Sequence, residues 1–269
     1  MEKDTIPLLV FHYCSLDIAY KILNECRLKL SSPMNVNDDL EFTYNGYKNV
    51  DAAKVREVLY TEYYYKIAKE QSCINKSLTK TYEDWRRYID SLSNNCIQEI
   101  ANNLLNGKAY DVKHFQRIAS KMMGFICFSE CSMLTSMFER YANNQQGVAI
   151  GFDTQYLTDL EKVKYVHELP PKPFITVCTE NDYADIKELL HTKSIKNEDW
   201  SVEKEWRIVC QLSSCVKSGN SYYKSFASQA IRKIIFGSKT PITEKRQFMI
   251  FCCDRFPNIE FCDAFVRQD

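Results

Sequence analysis

The chain is poor in the residues that punctuate loops. Seven glycines and seven prolines in 269 residues leave no flexible linker and no low-complexity tail. Neither Gly-x-Gly-x-x-Gly nor a Walker-type Gly-Lys-Ser/Thr occurs, which removes the usual dinucleotide and triphosphate cradles. An excess of one charge is missing too. With 35 basic and 35 acidic residues, a formal net charge of zero and a pI near 6.9, a protein coated in nucleic acid is not expected, and only a local basic groove stays open. The apolar run Ile6 to Phe11 is too short for a signal peptide or a membrane span, so no membrane partner is expected. The four histidines lie far apart with no His-x-x-x-His spacing, and no helical metal pair is visible.

Cysteine, by contrast, is abundant. The twelve cysteines are scattered, and no Cys-x-x-Cys pair is present, so a zinc ribbon is not expected. Without an export signal the expectation is reduced thiols in a cytoplasm, many of them buried. Hydrophobic residues at 45% and charged residues at 26%, with 17 tyrosines and 15 phenylalanines, describe an ordinary globular chain able to bury a sizeable core.

Periodicity sets out the elements. Leu8 to Cys14 reads as a buried strand, and Ser15 caps a helix to about Arg27 with Ile18, Ala19, Ile22, Leu23 and Cys26 inward. From about Asp51 to Lys121 the spacing is helical, with Tyr60, Tyr63, Tyr64 and Ile67 on one stripe and Trp85, Tyr88, Ile89, Leu92 and Cys96 on another. Strands return at 124–129 and 147–152, with Ser132 capping a helix between them; others are expected at 163–167, 203–211, 231–237 and 259–262. Asn181 can cap a helix to about Leu190, and Thr240-Pro241 opens one to about Phe256. Strands and helices mix without regular alternation. A single α+β domain over 1–269 is expected, with a helical insertion at about 51–121.

The stretch from Trp200 to Cys210 has the most chemistry. As a strand it places Glu203, Glu205 and Arg207 on one face and Trp206, Ile208 and Cys210 on the other. Two carboxylates two residues apart repel, so the pattern points either to chemistry or to a solvated edge strand. His12, Tyr13 and Ser15 stand where a strand meets a helix N-terminus, a place for an anion or simply for a cap. Asn37, Asp38 and Glu41 read as an Asx-turn, with too few oxygens for a calcium loop.

These pieces resemble a known family in their order. Phe11-His12-Tyr13-Cys14-Ser15-Leu16, then Leu30-Ser31-Ser32-Pro33 and Asn37-Asp38 with Glu41, are similar to the opening of the bacterial domain of unknown function 2971. Cys127-Phe128-Ser129-Glu130, Tyr141-Ala142-Asn143-Asn144 and Gly147 to Asp153 resemble its middle; Trp200, Glu203-Lys204-Glu205-Trp206-Arg207 and Ile234 to Gly237 resemble its end. Asp39 and Phe138 depart from the pattern, where proline and tryptophan are usual.

The layout is also similar to that of mono-ADP-ribosyltransferases, including the DNA-modifying toxin type. That resemblance implies split mixed β-sheets around a cleft and NAD as substrate, with no metal. It puts His12, Tyr13 and Ser129 at the dinucleotide and a Glu203-x-Glu205 pair on a late strand. Glu205 is then expected on the ribose 2′-hydroxyl and Glu203 on the acceptor. Arg207 or His12 would hold ribose or pyrophosphate, and Tyr13 or Tyr141 would stack on nicotinamide, with Ser15 and Asn37 completing the binding set. The partners implied are a nucleic-acid or protein acceptor and an antitoxin or other partner protein, as for a toxin or phage-defence effector. The alternative is a catalytically silent module that binds a nucleotide or nucleic acid.

Overall fold

The computed structural model describes residues 5–35, 47–48, 51–61, 65, 81–105, 120–167, 172–173 and 195–264. The chain forms two compact units, one of Met1–Asn35, Met123–Tyr165 and Glu198–Asp269, the other of Val36–Met122 and Val166–Asn197.

The first unit begins with strand β1 (Leu9–Cys14), whose Val10 and Cys14 are buried on one face and Phe11 and Tyr13 on the other. Ser15 ends it and caps α1 (Leu16–Glu25), its hydroxyl accepting from Ile18 N at 3.4 Å. The inner stripe is Leu16, Ala19, Ile22 and Leu23; Ile18, expected inside, is about half exposed. Cys26 takes a left-handed backbone (φ 47°) that ends the helix and starts β2 (Arg27–Lys29).

The second unit carries α2 (Ala52–Leu59), α3 (Tyr82–Ser91) and α4 (Asn94–Leu105). Thr81 and Asp84 form a capping box at the start of α3. Trp85, Ile89, Ile97 and Ala101 pack against Val55 and Leu59, and the indole N–H of Trp85 donates to Leu59 O at 2.6 Å. The stripe from Trp85 to Cys96 does not run through one helix. It breaks at Leu92, which turns extended (ψ 127°), and the Arg56 guanidinium takes up the carbonyls of Ile89 and Leu92 at 3.0 and 3.2 Å. The helix expected at 181–190 lies outside the described residues.

The first unit resumes with β3 (Met123–Ser129), α5 (Thr135–Tyr141), β4 (Val148–Asp153) and β5 (Leu160–Lys162). Helix α5 starts three residues after Ser132, with Leu134 before it and no side-chain cap, contrary to the sequence expectation. The unit closes with β6 (Glu205–Gln211), β7 (Val216–Ser218), β8 (Ser221–Ser225), β9 (Ile231–Phe236), α6 (Ile242–Cys253) and β10 (Glu260–Asp263). Seven strands form one mixed sheet in the order β10-β9-β4-β1-β3-β6-β5, antiparallel except for β9 and β10. The fold is therefore α+β, as expected. A separate three-stranded sheet, β7-β8-β2, joins through the bridge between Ser31 and Phe125.

Pairing on the two sides of β1 is uneven. β1 pairs with β4 at six positions from Leu9 to Cys14, but with β3 at one only, Phe11 opposite Ser129. Pairing between β1 and β3 is thus short, although the seven strands remain one sheet. One face packs the main core, with Val10, Phe128, Ile150, Phe152, Trp206 and Ile234. The other is covered in part by α5, which sets Met137 and Phe138 against Phe11, Tyr13 and Ala149.

Candidate functional site

Register fixes which expected residues share a face. Phe11 stands opposite Ser129, and Ser129 opposite Glu205, so the three side chains lie in one row across β1, β3 and β6. Tyr13 and Arg207, each two residues along its own strand, are on that same face. His12 is on the other. Its ring meets Phe128 edge-on at 6.0 Å, and Nδ1–H donates to Cys127 O at 3.0 Å. A carbonyl only accepts, so Nδ1 carries the proton. The imidazole thus fills the gap where β1 and β3 stop pairing. Burial holds its pKa below the ordinary 6.5, against the pull of the Cys127 carbonyl, and keeps the ring neutral.

Tyr13 is also occupied. Its hydroxyl donates to Cys131 O at 2.7 Å, its ring packs on Phe138 at 5.0 Å, and burial drives its pKa up. Ser129 is fully buried, donating to Glu203 O at 2.6 Å and accepting from Cys131 N at 3.0 Å. It clamps the chain that leads into β6.

The carboxylate stretch differs from the sequence expectation. Glu203 does not lie on the strand. It ends a 3-10 segment (Glu198–Glu203), and Lys204 takes a left-handed φ of 41° before β6 begins at Glu205. Lys204 N donates to Ser201 O at 3.2 Å and its carbonyl accepts from Glu130 N at 3.1 Å, so the kink is held from both sides. Nor is β6 a solvated edge: β3 and β5 flank it, and Glu203, Glu205 and Arg207 are each at most 3% exposed.

Buried carboxylates demand partners, and each has its own. Glu205 accepts two bonds from Arg207, from Nε to Oε1 at 2.5 Å and from the outer nitrogen to Oε2 at 3.0 Å. The guanidinium lies 5.0 Å over the Phe125 ring. Glu205 N donates to the Tyr165 hydroxyl at 2.8 Å. The Glu203 carboxylate accepts from the Tyr141 hydroxyl at 2.8 Å and faces Arg140 at 3.7 Å, and that guanidinium rests 4.8 Å over Trp200. On the core side, Glu130 gathers the Trp206 indole N–H at 3.1 Å, Lys204 at 3.6 Å and Lys162 at 3.9 Å.

The structure therefore brings Tyr13, Ser129, Glu205 and Arg207 onto one face and joins Tyr141 to Glu203. It leaves His12 in the gap between β1 and β3 and Ser15 as a helix cap, and Asn37 lies outside the described residues. Arg140 and Tyr165 were not singled out from the sequence: neither sits in a motif, and only the fold brings them to the carboxylates. Residues 137–208 match the family model described as protein of unknown function (DUF2971). The likeness to that family is borne out over this segment. No curated protein and no solved structure matches the chain. The DUF2971 segment runs from α5 through β4 and β5 into β6, so it includes Arg140, Tyr141, Glu203, Glu205 and Arg207 and stops short of Tyr13 and Ser129. Among the described residues no group of His, Cys, Asp and Glu is arranged to hold a metal ion, and no helix is long and apolar enough to cross a membrane.

Proposed function

We propose that the protein is an ADP-ribosyltransferase-like enzyme that cleaves NAD at the nicotinamide–ribose bond and passes ADP-ribose to a macromolecule. The observation that carries this reading is the short pairing between β1 and β3, with Ser129 and Glu205 in register beside it. The lapse of pairing there is what supports the split-sheet arrangement that the resemblance calls for, with His12 and the Ser31–Phe125 bridge lying in the gap and Ser129 and Glu205 buried beside it.

The chemistry follows from the residues. The C–N bond breaks with its electron pair leaving on nicotinamide, and the ribose gathers oxocarbenium-like positive charge. A carboxylate on the 2′-hydroxyl stabilises that charge more in the transition state than in the ground state. Glu205 takes this part, and the two-pronged bond from Arg207 fixes the plane of its carboxylate. Glu203, oriented by Tyr141, takes the proton of the acceptor, whose nucleophile attacks the ribose carbon. Arg207 thereby becomes a positioning residue for Glu205, not a ligand for the pyrophosphate.

The test is nicotinamide release from NAD by the pure protein, alone and with nucleic acid or cell extract. Glu205→Gln should lower turnover by at least about a hundredfold, on the scale of losing one electrostatic stabiliser. Equal turnover in the variant overturns the role of Glu205, and intact NAD throughout overturns the enzyme. One observation favours a silent binding module instead: both oxygens of Glu205 are already engaged by Arg207. Calorimetric binding of NAD or ADP-ribose without product would establish that reading.

A further inference from the structure

The small sheet β7-β8-β2 has one face turned to the core and one turned away. Leu28 and Tyr222 point inward, Leu28 buried and Tyr222 packed on the core cluster. Alternation then puts Val216, Ser218, Ser221, Tyr223, Ser225, Arg27 and Lys29 on the outer face, in the cross-strand rows Val216–Tyr223–Lys29 and Ser225–Arg27. Every one of them is exposed or half-buried, with Val216 51% exposed. Tyr223 lies at the centre with the Arg27 guanidinium 4.1 Å over its ring.

The composition of this surface is one-sided in a chain that is neutral overall. Residues 215–226 and 27–29 contain not one carboxylate, and the cations on the outer face are Arg27 and Lys29; Lys217 and Lys224 alternate to the inner side, paired with Tyr222 and Leu28. At the edge of the face, Glu25 at the end of α1 pairs with Arg27. Cations and serine hydroxyls are the groups that bind phosphodiester oxygens, and an aromatic ring on a sheet face is a platform for an unpaired base. Neither chemistry serves the hydrophobic core, which the opposite face already supplies.

We infer that the outer face of β7-β8-β2 binds single-stranded nucleic acid, with Tyr223 stacking on a base and Arg27, Lys29 and the serines holding the backbone. Gly219, in the two-residue turn Gly219-Asn220, stands in open space, with no atoms within 4 Å of its Cβ position. A flat sheet face with one ring suits a flexible strand whose bases are splayed, not the groove of a duplex. This inference stands apart from the NAD chemistry, and binding can be read without turnover.

The experiment is fluorescence anisotropy with the full chain and a labelled oligothymidylate of about 20 nucleotides at about 50 mM salt. Saturable binding is expected, with a log–log salt slope of about −1.4, as for the two phosphates that Arg27 and Lys29 would contact on a single strand. Tyr223→Ala should weaken binding about tenfold while Tyr223→Phe keeps it, since stacking needs the ring and not the hydroxyl. Arg27→Ala with Lys29→Ala should weaken binding and remove most of that slope. Lys233→Ala, on β9 of the large sheet, serves as the control and should bind as the wild type does. No binding by the wild type, full affinity in folded Tyr223→Ala and in the double variant, or equal competition by duplex would each overturn the inference.

Discussion

At the scale of single residues, the distribution of charge separates what holds the fold from what it holds in place. A buried ion pair is weak grounds for stability, because desolvation offsets most of its attraction. Glu205 and Arg207, buried on the penultimate strand of the sheet, are therefore not accounted for by stability alone, and the proposed role of the carboxylate would supply a reason for the pair. His12 is the opposite case: its ring fills the gap between β1 and β3, neutral, with its one N–H bonded to Cys127 O. Its folded pKa lies below the unfolded value, so the unfolded chain binds the extra proton first. Its contribution is intact above about pH 6.5 and is lost as the pH falls from there through the folded pKa. Thermal melts should therefore show Tm dropping between about pH 7 and pH 5.5 in the wild type, and less so in His12→Gln, which keeps a donor. An identical drop in both would mean that this ring does not carry the acid sensitivity. The sequence placed His12 beside Tyr13, but strict alternation along β1 sends the two to opposite faces. Period alone was enough to see that.

At the scale of elements, the return from α5 into β4 shows how a short motif can be structural. Asn143, Asn144 and Gln145 all take left-handed φ values, of 49°, 52° and 71°, which swing the chain back so that Gly147 opens β4 against β1. A Cβ on Gly147 would sit 2.3 Å from Cys14 O, and one on Gly237 2.1 Å from Gln145 O. Both obstacles are backbone, so neither can swing away. Gly147→Ala and Gly237→Ala should each cost at least about 2 kcal/mol in urea unfolding, the range of overpacked interiors. Gly219→Asn, at φ 58° in open space, should cost less than about 1 kcal/mol, since asparagine tolerates that backbone. Comparable losses at all three would refute the steric account. The main strands were legible because their apolar runs are long, and β4 was the clearest of them. The Asn-Asn-Gln-Gln turn could be read as a turn but not as three left-handed residues. Strands β7 and β8 were missed although Gly219-Asn220 between them is a hairpin signal. The break before β6 was not readable at all: lysine has no preference for the left-handed backbone that Lys204 adopts, and Glu203 was assigned to a strand it does not enter.

At the scale of the whole molecule, the two units differ in how far apart in sequence their contacts lie. The central row Phe11–Ser129–Glu205 is drawn from three distant parts of the chain, so the seven-stranded sheet can close only after long loops have closed. The helical cluster of the second unit is local by comparison, with Trp85 bonded to Leu59, 26 residues away. Topology of this kind sets speed, helical contacts forming well before long-range strand pairing. The three tryptophans allow this to be measured, because Trp85 lies in the helical cluster while Trp206 is buried on β6 against the main core. In stopped-flow refolding, a variant retaining only Trp85 should regain its native fluorescence at least about tenfold faster than one retaining only Trp206. Coincident single-exponential rates for the two reporters would instead mean that both units form in one cooperative step, with the helical cluster waiting for the sheet.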